Sequence, residues 1–172
     1  FGGTTLPPYP FKRVAQDMLS NMEVINDNIP YKAVSFYGDG SGPHSKNGVE
    51  VSEAWALACF VHQNTIPNHT DPNCGRLHSY LCGSVPTDPQ HGQYLGANSK
   101  TNNTAELSAV IWALLYSITI ARKWPGVPIY IYTDSAWSIL SSDEYATSEV
   151  HELMTKVASS LLLIARQHVN IN

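Results

Sequence analysis

The sequence predicts an α/β domain in which short strands come first and then alternate with long helices. Apolar runs rich in β-branched and aromatic residues recur at Lys32–Tyr37, Trp55–Val61 and Pro128–Thr133, the composition and length of strands. A longer apolar stretch, Ala105–Trp124, keeps apolar residues around most of its circumference, which marks a central rather than a peripheral helix. Two strand-like runs stop on an aspartate followed by Gly or Ser, at Asp39-Gly40 and Asp134-Ser135. A carboxylate in that position is presented at the edge of a sheet.

Residues 1–30 read as a connector. Gly2-Gly3, Pro7-Pro8 and Pro10 oppose regular structure, while Val14–Ile25 suits one short helix. The domain proper is expected over 31–172. Lys32–Tyr37 is its first strand, followed by a Gly-rich turn, Gly38–Gly42, and a polar loop through Asn47-Gly48. Trp55–Val61 is almost continuously apolar, so burial on both faces is expected. Residues 62–90, rich in Asn, Pro, His and Cys, read as an inserted loop with at most one extra strand, His78–Val85. Gln93–Asn98 is expected to be the third core strand.

Asn103 or Thr104 can cap the Ala105–Trp124 helix, and Pro125-Gly126 end it. Pro128–Thr133 is the fourth strand and Ser135–Leu140 a short helix. Residues 148–166 form a last amphipathic helix, with Glu149 and Glu152 near its positive end and Arg166 near its negative end. Gln167–Asn172 reads as a strand cut short. With Phe1 in the place of an initiating Met, that end points to a fragment of a longer polypeptide.

Composition narrows the function. At 172 residues and 43% hydrophobic content the chain suits about one domain with a single core. Its three cysteines are few and odd in number, which fits reduced thiols in the cytoplasm or nucleus. No secretion signal and no membrane span are expected. The net charge of −4 rests on only 10 Lys and Arg, so nucleic-acid affinity is expected to come from another domain. His62, His69, Cys74, His78 and Cys82 cluster in or beside the insert, but their spacing matches no short zinc knuckle.

Three acidic residues remain: Asp39 after Phe36-Tyr-Gly, Glu106 in Thr101-Asn-Asn-Thr-Ala-Glu106-Leu, and Asp134 after Ile131-Tyr-Thr. Three carboxylates meeting at one sheet edge repel one another unless a cation lies between them. Hard oxygen donors without His or Cys beside them point to Mg²⁺ or Mn²⁺, whose usual chemistry is phosphoryl transfer.

Over residues 32–172 the chain resembles the ribonuclease H family. The resemblance rests on Phe36–Gly42, Thr101–Leu107 and Ile131–Ser135 in that order, with Thr-Asn-Asn-x-x-Glu-Leu before a long helix as its most specific part. Integrase and transposase domains place their glutamate after both aspartates, whereas Glu106 lies between Asp39 and Asp134. The resemblance implies a ribonuclease H-like α/β fold with a central mixed five-stranded sheet flanked by helices, three strands antiparallel and two parallel. It implies hydrolysis of the RNA strand of an RNA–DNA hybrid with two Mg²⁺ ions, Mn²⁺ being a substitute. No basic, Trp-containing handle helix follows Asp134, so the chain looks like the ribonuclease H domain of a retroelement or viral reverse transcriptase, with polymerase or other domains as partners. The family's fourth acidic residue would lie beyond Asn172.

Within that resemblance Asp39 bridges both metals, Glu106 holds the leaving-group side, and Asp134 holds the nucleophile side. Gly40, Ser41, Thr101, Asn102 and Asn103 are the expected substrate contacts, the two amides reaching 2′-hydroxyls and base edges across the shallow minor groove of the hybrid. Blander readings exist for each. Asp-Gly is a favoured turn pair, a first-turn glutamate favours the helix dipole, and Asn residues commonly serve loops and caps. A module that keeps the fold for protein or RNA binding, without catalysis, is the rival function.

Overall fold

The computed structural model describes residues 31–63, 75–134 and 152–168. In chain order these form β1 (Ala33–Ser41), β2 (His44–Lys46), β3 (Val49–Val51), β4 (Ala54–His62) and β5 (Arg76–Gly83). Helix α1 (Asn102–Lys123), strand β6 (Ile129–Thr133) and helix α2 (Glu152–His168) follow. The main sheet has the order β5-β4-β1-β6. β4 pairs antiparallel with both β1 and β5, and β6 lies parallel to β1. The expected α/β class and mixed sheet are therefore present, with four strands of the main sheet among the described residues. The connector 1–30, the Ser135–Leu140 helix and residues 169–172 lie outside the described residues. Gln167 and His168, expected to open a fifth strand, instead complete α2.

The third strand is not where the sequence placed it. Gln93–Asn98 makes no ladder, and Arg76–Gly83, within the expected 62–90 insert, pairs with β4 instead. Leu95 and Ala97 are buried all the same. They fill the core from an irregular segment that turns at Gly96 with φ 96°, a conformation a strand cannot contain. β5 overlaps the one extra strand expected in the insert, His78–Val85, but it starts two residues earlier, joins the main sheet and carries a bulge. Its register passes from Cys59–Ser79 to Phe60–Leu77 and skips His78, which breaks the period-2 pattern that marks a strand. Ser79 is thus paired with inward-facing Cys59, whereas Cys82 is exposed.

β4 is also not buried on both faces. Trp55, Leu57, Cys59 and Val61 are buried while Ala54 and Ala56 are exposed. The reason is that α1 packs against β1 and β4 while α2 packs against α1, so one face of the sheet carries the core. On that face Trp55 stacks on Trp112 with ring centroids 5.6 Å apart, and Phe36 meets Tyr116 edge-on at 5.5 Å. Met154, Ala158, Leu161 and Ala165 recur every three or four residues on α2 and are fully buried, the stripe that closes the layer over α1. Each buried Leu or Ile contributes about 1.5–3 kcal/mol.

α1 is central, as its all-round apolar pattern requires. It is long and apolar enough to cross a membrane, but it is buried within the fold. Its hydroxyls cause no penalty because Ser108 and Ser117 donate to the carbonyls of Thr104 and Ala113, four residues back, at 2.6 and 2.7 Å. The cap is Thr101, one turn earlier than Thr104. Thr101 Oγ1 accepts from the Thr104 N–H at 3.2 Å, and Thr104 Oγ1 accepts from the Thr101 N–H at 2.9 Å, a reciprocal box. At the other end Trp124 N–H donates to the Ile120 carbonyl at 2.8 Å before Pro125-Gly126.

The polar loop after Gly42 is a β-hairpin. β2 and β3 pair Lys46 with Val49 across Asn47-Gly48, whose φ values of 54° and 76° form the primed turn that Asn-Gly favours. Both of its strands are exposed throughout.

Candidate active site

β1 runs past its expected end. Gly38, Asp39, Gly40 and Ser41 continue the ladder and pair with Leu57, Ala56, Trp55 and Ala54, so Asp39 lies within the strand rather than in a turn after it. Side chains alternate along a strand. Phe36 contacts α1, and a Cβ on Gly38 would lie 3.1 Å from that of Ala109, so the even-numbered positions face α1. Asp39 therefore falls on the opposite face, with Tyr37. Gly40 makes the close approach possible. A Cβ there would stand 2.5 Å from the carbonyl carbon of Ala105, 2.7 Å from the Cα of Glu106 and closer still to its nitrogen. Only a residue without a Cβ lets the strand pass under the helix at this point.

Glu106 is set at that crossing. Because α1 begins at Asn102, it stands beyond the first turn, and no acidic residue lies in the first turn. The dipole explanation for Glu106 is thereby weakened. Its carboxylate oxygen Oε1 accepts from Asn102 Nδ2 at 2.6 Å, and Asn102 Oδ1 accepts from the Gly42 N–H at 3.0 Å. One amide thus ties the end of β1 to Glu106. Asn103 is exposed, Ser41 Oγ donates weakly to the Gly42 carbonyl at 3.4 Å, and Thr101 is committed to the cap. His44 Nδ1 lies 3.0 Å from the same Gly42 carbonyl, so the hairpin departs directly from this edge.

Asp134 follows Thr133, whose Cα partner in β1 is Gly38. The ladder ends at that pair, and Asp39 and Asp134 are the residues that follow it on the two segments. Tyr37 and Tyr132, one pair earlier, stack at 4.9 Å on the outer face. The backbone therefore brings Asp39, Asp134 and Glu106 to one end of the sheet. The side chains do not converge there. Among the described residues no three His, Cys, Asp or Glu side chains form a group that could hold a metal ion. Asp39 Oδ1 instead accepts from the Gly40 N–H at 2.8 Å, while Glu106 is held by Asn102. The donor chemistry still suits a hard divalent cation, since all three positions offer carboxylate oxygens.

A second carboxylate site escaped the sequence reading. Glu53, just before β4, is 2% exposed and lies 2.9 Å from Lys100 Nζ. Burial raises its pKa, but hydrogen bonds from Ser52, Lys100 and the backbone N–H groups of Glu53 and Val85 outweigh this and bring it down to about 2. Its one sequence signal was an acidic residue beside an apolar strand. In the core, burial pushes the Cys59 thiol up to about 12, and Ser79 Oγ lies 3.0 Å from Tyr116 Oη.

No family model matches the chain, and no curated protein matches it. Among solved structures it is similar to the N-terminal ribonuclease H domain of a Mycobacterium tuberculosis protein, studied as a fusion with maltose-binding protein. That match has 14% identity and a TM-score of 0.45, covering 81% of this chain and 77% of that one. A ribonuclease H1 isolated from compost by a metagenomic approach matches at 16% identity and a TM-score of 0.46, with 81% of each chain covered. The ribonuclease H1 of the archaeon Halobacterium salinarum NRC-1 matches at 17% identity and a TM-score of 0.45, covering 81% of this chain and 80% of that one. At these values residue roles do not transfer from those proteins.

Proposed function

We propose that this chain is a ribonuclease H-type nuclease that hydrolyses the RNA strand of an RNA–DNA hybrid, with Asp39, Glu106 and Asp134 as ligands for two Mg²⁺ ions. The observation that supports it is the register at the end of the sheet. Asp39 and Asp134 are the next residues after the Gly38–Thr133 pair, and Glu106 crosses β1 at Gly40. Carboxylates turned from these positions toward one point would repel one another unless a cation joined them. Held by these carboxylates, such ions would supply an activated water and stabilisation of the departing oxygen.

The protein groups have separable tasks in this reading. Asn102 keeps Glu106 at the strand crossing and fixes Gly42, while exposed Asn103 and the Gly40–Ser41 backbone face the hybrid. A side-chain rotation releases Asp39 from the Gly40 N–H and turns its oxygens toward Asp134. The setting we favour is a reverse transcriptase of a retroelement or virus, whose other domains supply the affinity that a net charge of −4 does not.

The test is cleavage of a fluorescent hybrid by wild type and Asp39→Asn in Mg²⁺. The variant should lose cleavage while keeping its melting temperature, or gaining slightly as like-charge repulsion falls. Unchanged cleavage would sink the metal assignment. A binding module without catalysis is the second reading, favoured by the unconverged side chains. It requires hybrid binding with no Mg²⁺- or Mn²⁺-dependent hydrolysis by the wild type.

A further inference from the structure

Glu53 takes no part in the chemistry proposed above, yet it joins three separate segments of the chain. Its Oε2 accepts from Ser52 Oγ at 2.6 Å. Its Oε1 accepts from the Val85 N–H at 3.2 Å and lies 2.9 Å from Lys100 Nζ. The Glu53 side chain is 1% exposed and that of Lys100 48%. A buried carboxylate is tolerated only when its charge and lone pairs are matched, and here they are. The result is a crosslink between the start of β4, the end of the β5 connection and the residue that precedes the α1 cap.

What the crosslink holds is the segment that carries the candidate site. Lys100 adjoins Thr101, and Asn102, Asn103 and Glu106 follow within two turns. Local bonds shape this segment: the Thr101–Thr104 box, and Thr104 Oγ1 donating to the Ser99 carbonyl at 3.0 Å. Such bonds cannot place it against the sheet. Side-chain ties that span long sequence distances do: Asn102 accepts from the Gly42 N–H just after β1, and Lys100 meets Glu53 just before β4. A half-exposed lysine is otherwise free to sample many rotamers. Anchoring its ammonium on a buried partner removes that freedom one residue before the helix starts.

We propose that Glu53 is a positioning residue: through Lys100 it holds the start of α1, and with it Asn102, Asn103 and Glu106, against the end of the sheet. The catalytic consequence rests on the nuclease reading above, whereas the anchoring does not.

The experiment therefore has two arms, both on the 172-residue chain. In the first, hydrogen exchange is followed in wild type, Glu53→Gln, Lys100→Met and Lys100→Arg. Glu53→Gln keeps the size of the side chain and an oxygen for the Val85 N–H while removing the charge. Amides 99–106 should exchange at least about tenfold faster in Glu53→Gln and Lys100→Met, as expected for a local opening. Amides 111–120 should keep wild-type rates, and Lys100→Arg should remain wild-type throughout. Uniformly faster exchange across β4, β5 and α1, or unchanged exchange at 99–106, overturns the anchoring.

In the second arm, hybrid cleavage by Glu53→Gln should show kcat lowered roughly tenfold or more per folded molecule, because small misplacements of catalytic groups are costly. Lys100→Arg should retain it. Wild-type kcat and KM in Glu53→Gln overturn the positioning role even if exchange changes. A wild type that cleaves no hybrid at saturating substrate in either Mg²⁺ or Mn²⁺, alone or joined to the domains that supply affinity, overturns the nuclease reading and the catalytic half of the proposal, while the exchange pattern still decides the anchoring.

Discussion

Replacing Gly40 with alanine tests the contact that brings strand and helix together. The added Cβ would lie 2.5 Å from the Ala105 carbonyl carbon and 2.7 Å from the Glu106 Cα. Carbon atoms settle at about 3.5–4.0 Å, so β1 and the start of α1 must separate by about 1 Å. All three nearest atoms are backbone, and no rotamer change can relieve the overlap. Overpacking of this kind costs about 1–3 kcal/mol, and a purely backbone clash belongs at the upper end. Alanine also stiffens the unfolded chain, which offsets up to about 1 kcal/mol. The expected net loss is about 2 kcal/mol. For a chain of this size that corresponds to a fall in melting temperature of about 4–8 °C. Glu106 moves with the helix, so hybrid cleavage should fall by roughly a hundredfold. Calorimetry and a cleavage assay on the same preparation provide both readings. A melting temperature within about 1 °C of wild type, with unchanged cleavage, would show that the strand does not pass this close to the helix.

Asn102→Ala with Asn103→Ala removes the acceptor for the Gly42 N–H and the donor to Glu106. Hybrid affinity and cleavage should both drop, by about tenfold or more for two lost polar contacts, while equal titration and kinetic curves would leave these residues structural. Acid provides a separate check on Glu53. Its carboxyl is lowered from the usual 4.5 to about 2 in the fold, so its stabilisation is complete above pH 4.5 and lost as pH falls toward 2. The difference amounts to at most about 3 kcal/mol. Melting temperatures of wild type and Glu53→Gln should therefore converge between pH 4.5 and about 2, and parallel curves would contradict the assignment.

Local chemistry determined a good deal of this protein. The strands at β1, β4 and β6 and the central helix follow from apolar runs, and a helix apolar on nearly all sides had to be covered by both a sheet and a second helix. The order of Asp39, Glu106 and Asp134 was likewise visible, because each carboxylate sits beside a recognisable strand end or helix start. The Asn47-Gly48 hairpin read as a polar loop, because its exposed strands carry no hydrophobic alternation to announce them. Tertiary structure decided the rest. The sequence showed β5 only as an extra strand of the insert, not as the neighbour of β4, and Leu95 and Ala97 are buried without being a strand, since burial requires only a neighbour whereas a ladder requires φ, ψ and register together. The passage of β1 under α1 at Gly40 depends on the distance between two backbones 65 residues apart. The pairing of Glu53 with Lys100 has no sequence spacing at all. Periodicity reports which face of an element is apolar, but contacts between distant segments arise only when the elements pack, and those contacts place the carboxylates.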